Sequence, residues 1–452
     1  MRAGLKTGPY EIPQISRPDV FLAVDISTPF IILYPMIDPR KIRENPDEIR
    51  KLLARRRCPI SVDEILAVDE KRRKLQAERD TLRHDLKEAS DAIGQLKREG
   101  KDASGVMTKT KELSAKTKEL DGKLSKIEAR FEELLWQLPN LPDPDAPDED
   151  TVIRSWGKKP EFDFQPADHV TICERLELCN FRYAASYAGA RFAAYTGDGA
   201  LLLRALVNLC LNLHTREHGY KEVFPPVLAR AESANAAGQL SKLEDMYALA
   251  DDPLYLIPTS ETALINLHMG QEIKEEDLPL KYTAYTSCFR REAGTYGTQT
   301  KGLFRIHQFE KVELVQFAHP EHWHEAFDEI LSNAEKVLQL LQLPYRVKAL
   351  SPTEAAFQAS LTFDIDVWAA GAEDWLEVSS ISNCADFQAR RNKTRLRLAD
   401  GSLIYPHILN GSGTAFPRLI IAILENYQQA DGSIKVPDAL RPYMDGKEHL
   451  GR

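Results

Sequence analysis

The sequence predicts an α+β protein: an antiparallel β-sheet flanked by helices, preceded by an antiparallel α-helical coiled-coil arm. Three observations carry this. A seven-residue hydrophobic repeat runs from about residue 61 to 138 and is interrupted once. From about residue 165 onward, helix-period runs mix with short alternating β-type runs. Finally, the glycine patterns of parallel nucleotide-binding sheets are missing: there is neither GxGxxG after a strand nor GxxxxGKS.

The chain has 452 residues, enough for two or three domains and a large core. Its formal net charge is −9, so contact with a nucleic acid would need a local cationic patch. Six cysteines are scattered without a CxxC pair, which argues against a zinc site. In a cytosolic setting they would stay reduced. No apolar run approaches the roughly 20 residues of a membrane span.

Residues 1–35 carry no charge-rich or helical pattern. Phe21–Val24 and Phe30–Leu33 are apolar but short, and no small-residue cleavage site follows them, so a signal peptide is not indicated. The extension reads either as an artefact of start choice, with Met36 the true start, or as a genuine partner-binding tail. Residues 36–60 read as a small helical cap, with one helix around Asp47–Leu53.

In the arm, Val68, Leu75, Leu82, Ala89 and Leu96 fall at seven-residue spacing, with Ile65, Leu86 and Ile93 on a second seam. After a Gly-containing stretch, Glu99–Gly105, the series resumes at Val106, Leu113, Leu120, Ile127 and Leu134. Two amphipathic helices joined by a short turn make a hairpin. At 1.5 Å per residue each helix is on the order of 55 Å long. A dimerising coiled coil or a spacer would show the same seams. Charge points elsewhere: residues 83–118 hold nine Lys or Arg against six Asp or Glu in an acidic chain. Lys97, Arg98, Lys101 and Lys109 belong to this excess, which suits a phosphate backbone.

Pro139–Pro144 is a proline-rich linker, carried to about residue 164, and the body spans 165–452. Helix-period runs occur at 199–217 and 320–342; β-type runs occur at 282–289, 303–317, 345–350 and 362–368. Within the body, Cys288-Phe289-Arg290-Arg291-Glu292-Ala293-Gly294 runs on to His307-Gln308-Phe309-Glu310-Lys311-Val312-Glu313. This reads as two strands joined by a polar loop. Period-two alternation puts Arg290 and Glu292 on one face. A cation, an aromatic ring and carboxylates on one sheet face suit a nucleotide and an amine-bearing small molecule. An ordinary charged surface hairpin would look similar. Leu409-Asn-Gly-Ser-Gly-Thr-Ala-Phe-Pro-Arg418 then leads into an apolar helical run. Gly411 and Gly413 would allow close approach to a ligand, Pro417 suits the first helical position, and Arg418 sits in a first turn that favours anions.

Together these segments resemble motifs 2 and 3 of class II aminoacyl-tRNA synthetases, and in detail the seryl-tRNA synthetases of bacterial type. Pro258-Thr-Ser-Glu261, Glu377-Val-Ser-Ser380, Asp386-Phe-Gln-Ala-Arg-Arg391 and Val436–Pro442 extend the resemblance. It runs from about Met36 to the C-terminus. The HxGH and KMSKS signatures of class I enzymes are missing.

The resemblance implies a cytoplasmic, homodimeric serine–tRNA ligase. It would activate L-serine with ATP and pass the seryl group to tRNA(Ser), and also to tRNA(Sec). The catalytic residues would be Arg290, Glu377 and Arg418. Arg290 would hold the α-phosphate and the serine carboxylate; Arg418 would meet the γ-phosphate and, with Phe309, sandwich the adenine. Arg291, Glu292, Ile306, Val378 and Ser379 complete the implied ATP site. Glu377 and Ser380 would hold Mg2+, which prefers hard oxygen ligands; zinc is not expected. Thr259, Ser260 and Glu261, with Arg290, Glu313 and Ser412, would bind serine, Glu261 and Thr259 at the ammonium and Glu313 and Ser412 around the hydroxyl. The arm, through Lys97, Arg98, Lys101 and Lys109, would clasp the tRNA by shape. Pro226 matches the motif 1 proline of the dimer interface. No inserted hydrolytic domain is visible, so no dedicated editing site is expected.

The chain departs from the family pattern at Arg291, Thr298, Gln299, Lys301, Ala236–Lys242, Leu361 and Pro417. These changes bear on tRNA-end handling and loop closure. They leave open a divergent paralogue that serves another acceptor, or one that is catalytically silent. The cluster His319-Pro-Glu-His322-Trp-His324 reads as the start of a surface helix with Pro320 at its first position rather than as a metal site, and His268 and His307 read as structural histidines.

Overall fold

The computed structural model describes residues 37–239, 245–292 and 301–451. The 1–35 extension, Met36, Ser241, Lys242, Thr298 and Gln299 lie outside the described residues.

Two short helices, α1 (Pro39–Glu44) and α2 (Pro46–Arg55), each begin with a proline in the first turn, where a missing N–H costs nothing. They pack against the base of a long hairpin, α3 (Val62–Arg98) and α4 (Ser104–Trp136). Ser61 caps α3 by accepting the Glu64 N–H. Ile37, Ile42, Ile49 and Leu53 meet Val62, Ile65, Phe131, Leu134 and Leu138 in a small separate core at that base. Farther out, Leu120 and Leu124 are still buried, but most heptad residues are only partly covered, because two helices can shield just one seam. The turn passes through Gly100, whose φ of +68° is left-handed and suits glycine.

The body is built on an eight-stranded sheet. In chain order its elements are β1 (Thr151–Trp156), α5 (His169–Arg175), α6 (Gly197–Arg216), β2 (Lys221–Glu222), β3 (Leu280–Phe289), β4 (Gln308–Ala318), α7 (Trp323–Leu340), β5 (Tyr345–Ala349), β6 (Leu361–Ala369), β7 (Asp374–Asn383), β8 (His407–Ala415) and α8 (Phe416–Asn426). The spatial order is β1-β5-β6-β7-β8-β4-β3-β2. Every neighbouring pair is antiparallel except β2 with β3. Helices α6, α7 and α8 supply Leu206, Leu213, Ile330, Leu338, Leu419 and Ile423 to one large core against the sheet. Among the described residues no helix is long and apolar enough to cross a membrane.

Two expectations change. Helix α7 begins at Trp323 with His322 as its cap, so Pro320 precedes the helix rather than occupying its first position. The strand read at 303–317 begins only at Gln308; the preceding residues form a turn at Gly302. His319, His322 and His324 each approach a different carboxylate, those of Glu275, Glu325 and Asp145.

Candidate active site

A cavity of about 490 Å³ opens on the sheet face away from α7. Alternation along β4 aims Phe309, Lys311 and Glu313 into it. On β8, Ser412 lies directly opposite Glu313, and Asn410 shares its face. The flanking glycines serve packing instead. A Cβ on Gly411 would come within 2.5 Å of Ile330 Cγ2 on α7, and one on Gly413 within 2.9 Å of Val312 Cγ1. The expected close approach is therefore to the structural layer behind the sheet, not to a ligand.

A bulge decides the geometry of β7. Glu377 pairs with Asp366 and Ser379 with Ile365, leaving Val378 as the extra residue. Strict alternation would put Glu377 and Ser380 on opposite faces; the bulge brings both to the cavity. Ser379 is turned away and donates to the Ser412 carbonyl.

Strand alternation also fails at Arg290 and Glu292, because β3 ends at Phe289. Glu292 adopts a left-handed φ of +52°. That turn, rather than a shared strand face, lets both residues line the cavity. Glu292 pairs with Arg305. Arg291 and Ser260 are absent from the cavity wall; Arg291 is exposed, and Ser260 donates to the Ala284 carbonyl.

The inner end of the cavity is polar and buried. Glu261 is 5 % exposed and Glu313 2 %. Thr259 Oγ1 donates to Glu313 Oε2 at 2.8 Å, and Lys311 forms an ion pair with the same carboxylate. Glu261 Oε1 accepts from three amides: Gln388 at 2.6 Å, Asn410 at 3.1 Å and Gln358 at 3.4 Å. Burial, then the nearby Glu313 charge, push the Glu261 carboxyl up to about 7. Lys311 pairs with Glu313, and the second buried carboxyl, Glu261, gives the inner end a chemistry that suits a further cation such as an α-ammonium group. Lys311, Gln358, Gln388 and Asn410 escape a reading of the sequence alone. Lys311, Gln388 and Asn410 do lie in stretches that carry the family resemblance; Gln358 leaves no signal there.

The outer end holds the other groups. Arg290 lies over the Phe309 ring, 5.2 Å from its centroid. Arg418, in the first turn of α8, donates to the Glu377 carbonyl at 2.8 Å. The guanidinium beside Phe309 is thus that of Arg290, while Arg418 is turned toward Glu377. Asp364, across from Ser380, is pushed up to about 7, by burial first and Glu377 second. Its Oδ1 is buried without a hydrogen-bond partner. Hard oxygens on Glu377 and Ser380, with the unpartnered Asp364 Oδ1 behind them, fit a hydrated Mg2+. Ile306 is buried in the wall beside Phe304 and Arg305.

His169 ties this region together. Its Nδ1 lies 3.0 Å from Glu425 Oε1 on α8, and its Nε2 accepts the Leu303 N–H at 3.2 Å. Both side chains are almost fully buried. A Cβ on Gly302 would meet His169 Nε2 at 2.4 Å. Replacing His169 by Ala leaves Glu425 the backbone N–H donors of residue 169 and Ala372, but it removes the imidazole donor and leaves the buried Leu303 N–H unpaired, and the expected cost is roughly 2 kcal/mol. Thermal unfolding of the variant checks this as a lowered Tm. The other two structural histidines are bonded: His268 Nε2 to the Tyr282 hydroxyl, and His307 Nδ1 to the Arg290 carbonyl.

Lys97, Arg98, Lys101 and Lys109 do not join the cavity. All four are exposed around the arm tip, with Lys101 paired to Glu99.

The seryl-tRNA synthetase N-terminal domain family matches residues 36–142, and the class II core domain shared by the glycine, histidine, proline, serine and threonine enzymes matches residues 245–427. A serine–tRNA ligase from Caldanaerobacter subterraneus is 48 % identical over 90 % of this chain and 98 % of its own length. One from Pelotomaculum thermopropionicum is 45 % identical over 92 % of this chain and its entire length. Among solved structures, a seryl-tRNA synthetase from Pyrococcus horikoshii complexed with ATP superposes with a TM-score of 0.85 at 33 % identity, covering 92 % of this chain and 99 % of that one. With relatives this similar along nearly their whole lengths, and with both domain families matched, the chain belongs to the seryl-tRNA synthetases, the ATP-dependent serine–tRNA ligases of class II.

Proposed function

We propose that the cavity activates L-serine with ATP and that the seryl group then passes to tRNA(Ser), and to tRNA(Sec) where the host has one. The observation that carries this is the division of the cavity: a buried, doubly carboxylate inner end for an amino acid, and an outer end where Arg290 lies over the Phe309 ring and Arg418 faces Glu377. The serine carboxylate is already a nucleophile, so no general base is needed. Its oxygen attacks the α-phosphorus, the bond to pyrophosphate breaks, and seryl-adenylate forms. Catalysis is positioning and neutralisation of charge. Glu261 and Glu313 hold the ammonium end, Ser412 stands ready for the hydroxyl, and Arg290 draws the carboxylate toward the phosphate. Arg418 stabilises the departing charge. Glu377 and Ser380 would hold Mg2+, whose charge would offset that of the phosphates.

A site that hydrogen-bonds a hydroxyl rejects alanine strongly, because its polar groups would be left unpaired. The silent-paralogue reading fits poorly with Arg290, Glu292, Glu313, Glu377 and Arg418 all meeting in one cavity. We assign tRNA binding to the arm, cytoplasmic residence to the protein, and homodimer formation to the surface near Pro226. There β2 is a sheet edge and Phe224 is 84 % exposed, features that suit pairing with a second copy.

Serine transfer to a tRNA(Ser) transcript tests the reading. Triple replacement of Lys97, Arg98 and Lys101 by Ala is expected to raise the tRNA KM and leave tRNA-independent exchange intact. The salt dependence of tRNA binding should fall by roughly one in log–log slope for each phosphate that is no longer neutralised. Unchanged charging by this variant would remove the arm tip from tRNA recognition.

A further inference from the structure

One wall of the amino-acid pocket is segment 351–360, which contains no helix or strand before Leu361. Ala356, Phe357 and Gln358 face the cavity. Buried backbone carbonyls in such a segment need partners. Here most of those partners come from outside the catalytic body. Arg56, just after α2, donates to the carbonyls of Pro352 at 3.1 Å, Ala355 at 3.0 Å and Ala356 at 3.1 Å, and to that of Ala359. Its Nε donates to the Asn140 carbonyl at 3.1 Å. Asn140, in the linker, donates its backbone N–H to the Phe357 carbonyl and its side-chain amide to that of Gln358, both at 2.9 Å. Asp143 N–H reaches the Ser360 carbonyl at 3.0 Å. Arg391 lies over both Trp136, the last residue of α4, and Phe357.

The segment so held carries Gln358, whose amide donates to Glu261 Oε1. Its Cβ also stands 3.0 Å from where a Cβ on Gly238 would be. Pro352 and Ala359 lie at opposite ends of this stretch, yet one guanidinium gathers carbonyls along all of it. Lysine could not do this, because its single ammonium lacks the planar fork.

We propose that Arg56 is a positioning residue for the amino-acid pocket: by clamping the 351–360 wall it fixes Gln358 against Glu261, so that the domain bearing the arm shapes amino-acid binding. This rests on the serine-activation reading. It makes the pocket depend on residues outside the body that houses it, and it predicts a selective effect. Serine should be sensed, ATP should not, because Arg290 is held by Phe309 and the Pro258 carbonyl, and Arg418 by the Glu377 carbonyl, rather than by this wall.

The test is ATP–pyrophosphate exchange without tRNA, with serine and ATP varied separately, for wild type, Arg56→Lys, Gln358→Ala and the double variant. Arg56→Lys is expected to raise the serine KM about tenfold, within the usual range of site–site coupling. The ATP KM and kcat should stay within about twofold. Gln358→Ala should raise the serine KM similarly, and the double variant no further, because both changes cut one connection. An unchanged serine KM in Arg56→Lys, equal rises in both KM values, or effects that multiply in the double variant would each overturn the proposal. If Arg56→Lys does not fold, Asn140→Ala removes the side-chain donor to Gln358 and carries the same expectation and the same refutation. Absence of serine exchange in the wild type would overturn the serine reading itself, and this inference with it. Exchange in the wild type with an unaltered variant overturns the inference alone.

Discussion

Arg418→Ala is expected to lower serine-dependent ATP–pyrophosphate exchange by roughly 10²–10³-fold, the usual effect of removing one charged stabiliser of a transition state. Arg418 owes its place to three local features. Pro417, the second residue of α8 rather than the first, has no N–H to satisfy, the first turn puts the next side chain at the cavity mouth, and the Glu377 carbonyl holds the guanidinium at 2.8 Å. The loss should fall on kcat more than on the serine KM, because Arg418 stands at the outer end, away from Glu261 and Glu313. Glu377→Ala should act similarly, since it removes the oxygen proposed for Mg2+ and the carboxylate facing Arg418 at 3.5 Å. In both variants tRNA binding should persist, because the arm cations are untouched. Exchange that survived either change would remove that residue from the chemistry.

Glu261 should give the second large effect, and its pH dependence is the more informative part. Burial and Glu313 raise its carboxyl to about 7 in the free protein, from 4.5. The sign follows from linkage. A raised pKa means that the fold favours the protonated form. That contribution to stability is complete below about 4.5 and is lost as pH rises through about 7. Serine acts in the opposite direction, because its ammonium favours the ionised carboxylate. Binding below pH 7 must then release a proton, so the apparent serine KM should rise about tenfold per pH unit below that point. Above it, the KM should level. Glu261→Gln should weaken serine binding at every pH and flatten the profile. Measuring serine KM at saturating ATP from pH 5.5 to 8.5 for both proteins checks this. A flat wild-type profile would place the ammonium elsewhere.

Most of the fold was legible because its signals are local. The arm is written in heptads, and the turn at Gly100 lies where the seam breaks. The antiparallel sheet followed from alternating runs without phosphate-loop glycines. The site was legible only through motif order. Its finer geometry was not, for a physical reason: it depends on departures from regular structure. Alternation would have separated Glu377 from Ser380, and a bulge at Val378 reunites them. Alternation also united Arg290 with Glu292, but the strand stops before both, and a left-handed turn does that work. Gly411 and Gly413 looked like ligand glycines; tertiary packing against Ile330 and Val312 explains them. Gln358, Gln388 and Asn410 converge on Glu261 from three distant parts of the chain, a juxtaposition that only folding produces. Arg56 lies still farther along the chain, in the turn that follows α2, with no motif of its own.

On the proposed function, the buried carboxylate end of this cavity selects serine for activation. Amino-acid-dependent ATP–pyrophosphate exchange without tRNA tests it most directly, with serine compared against threonine, alanine and glycine. The expected result is exchange with serine and very little with the other three: alanine and glycine lack the hydroxyl, and threonine adds a methyl group that the packed wall resists. Equal exchange with alanine, or none with any of the four, would contradict it.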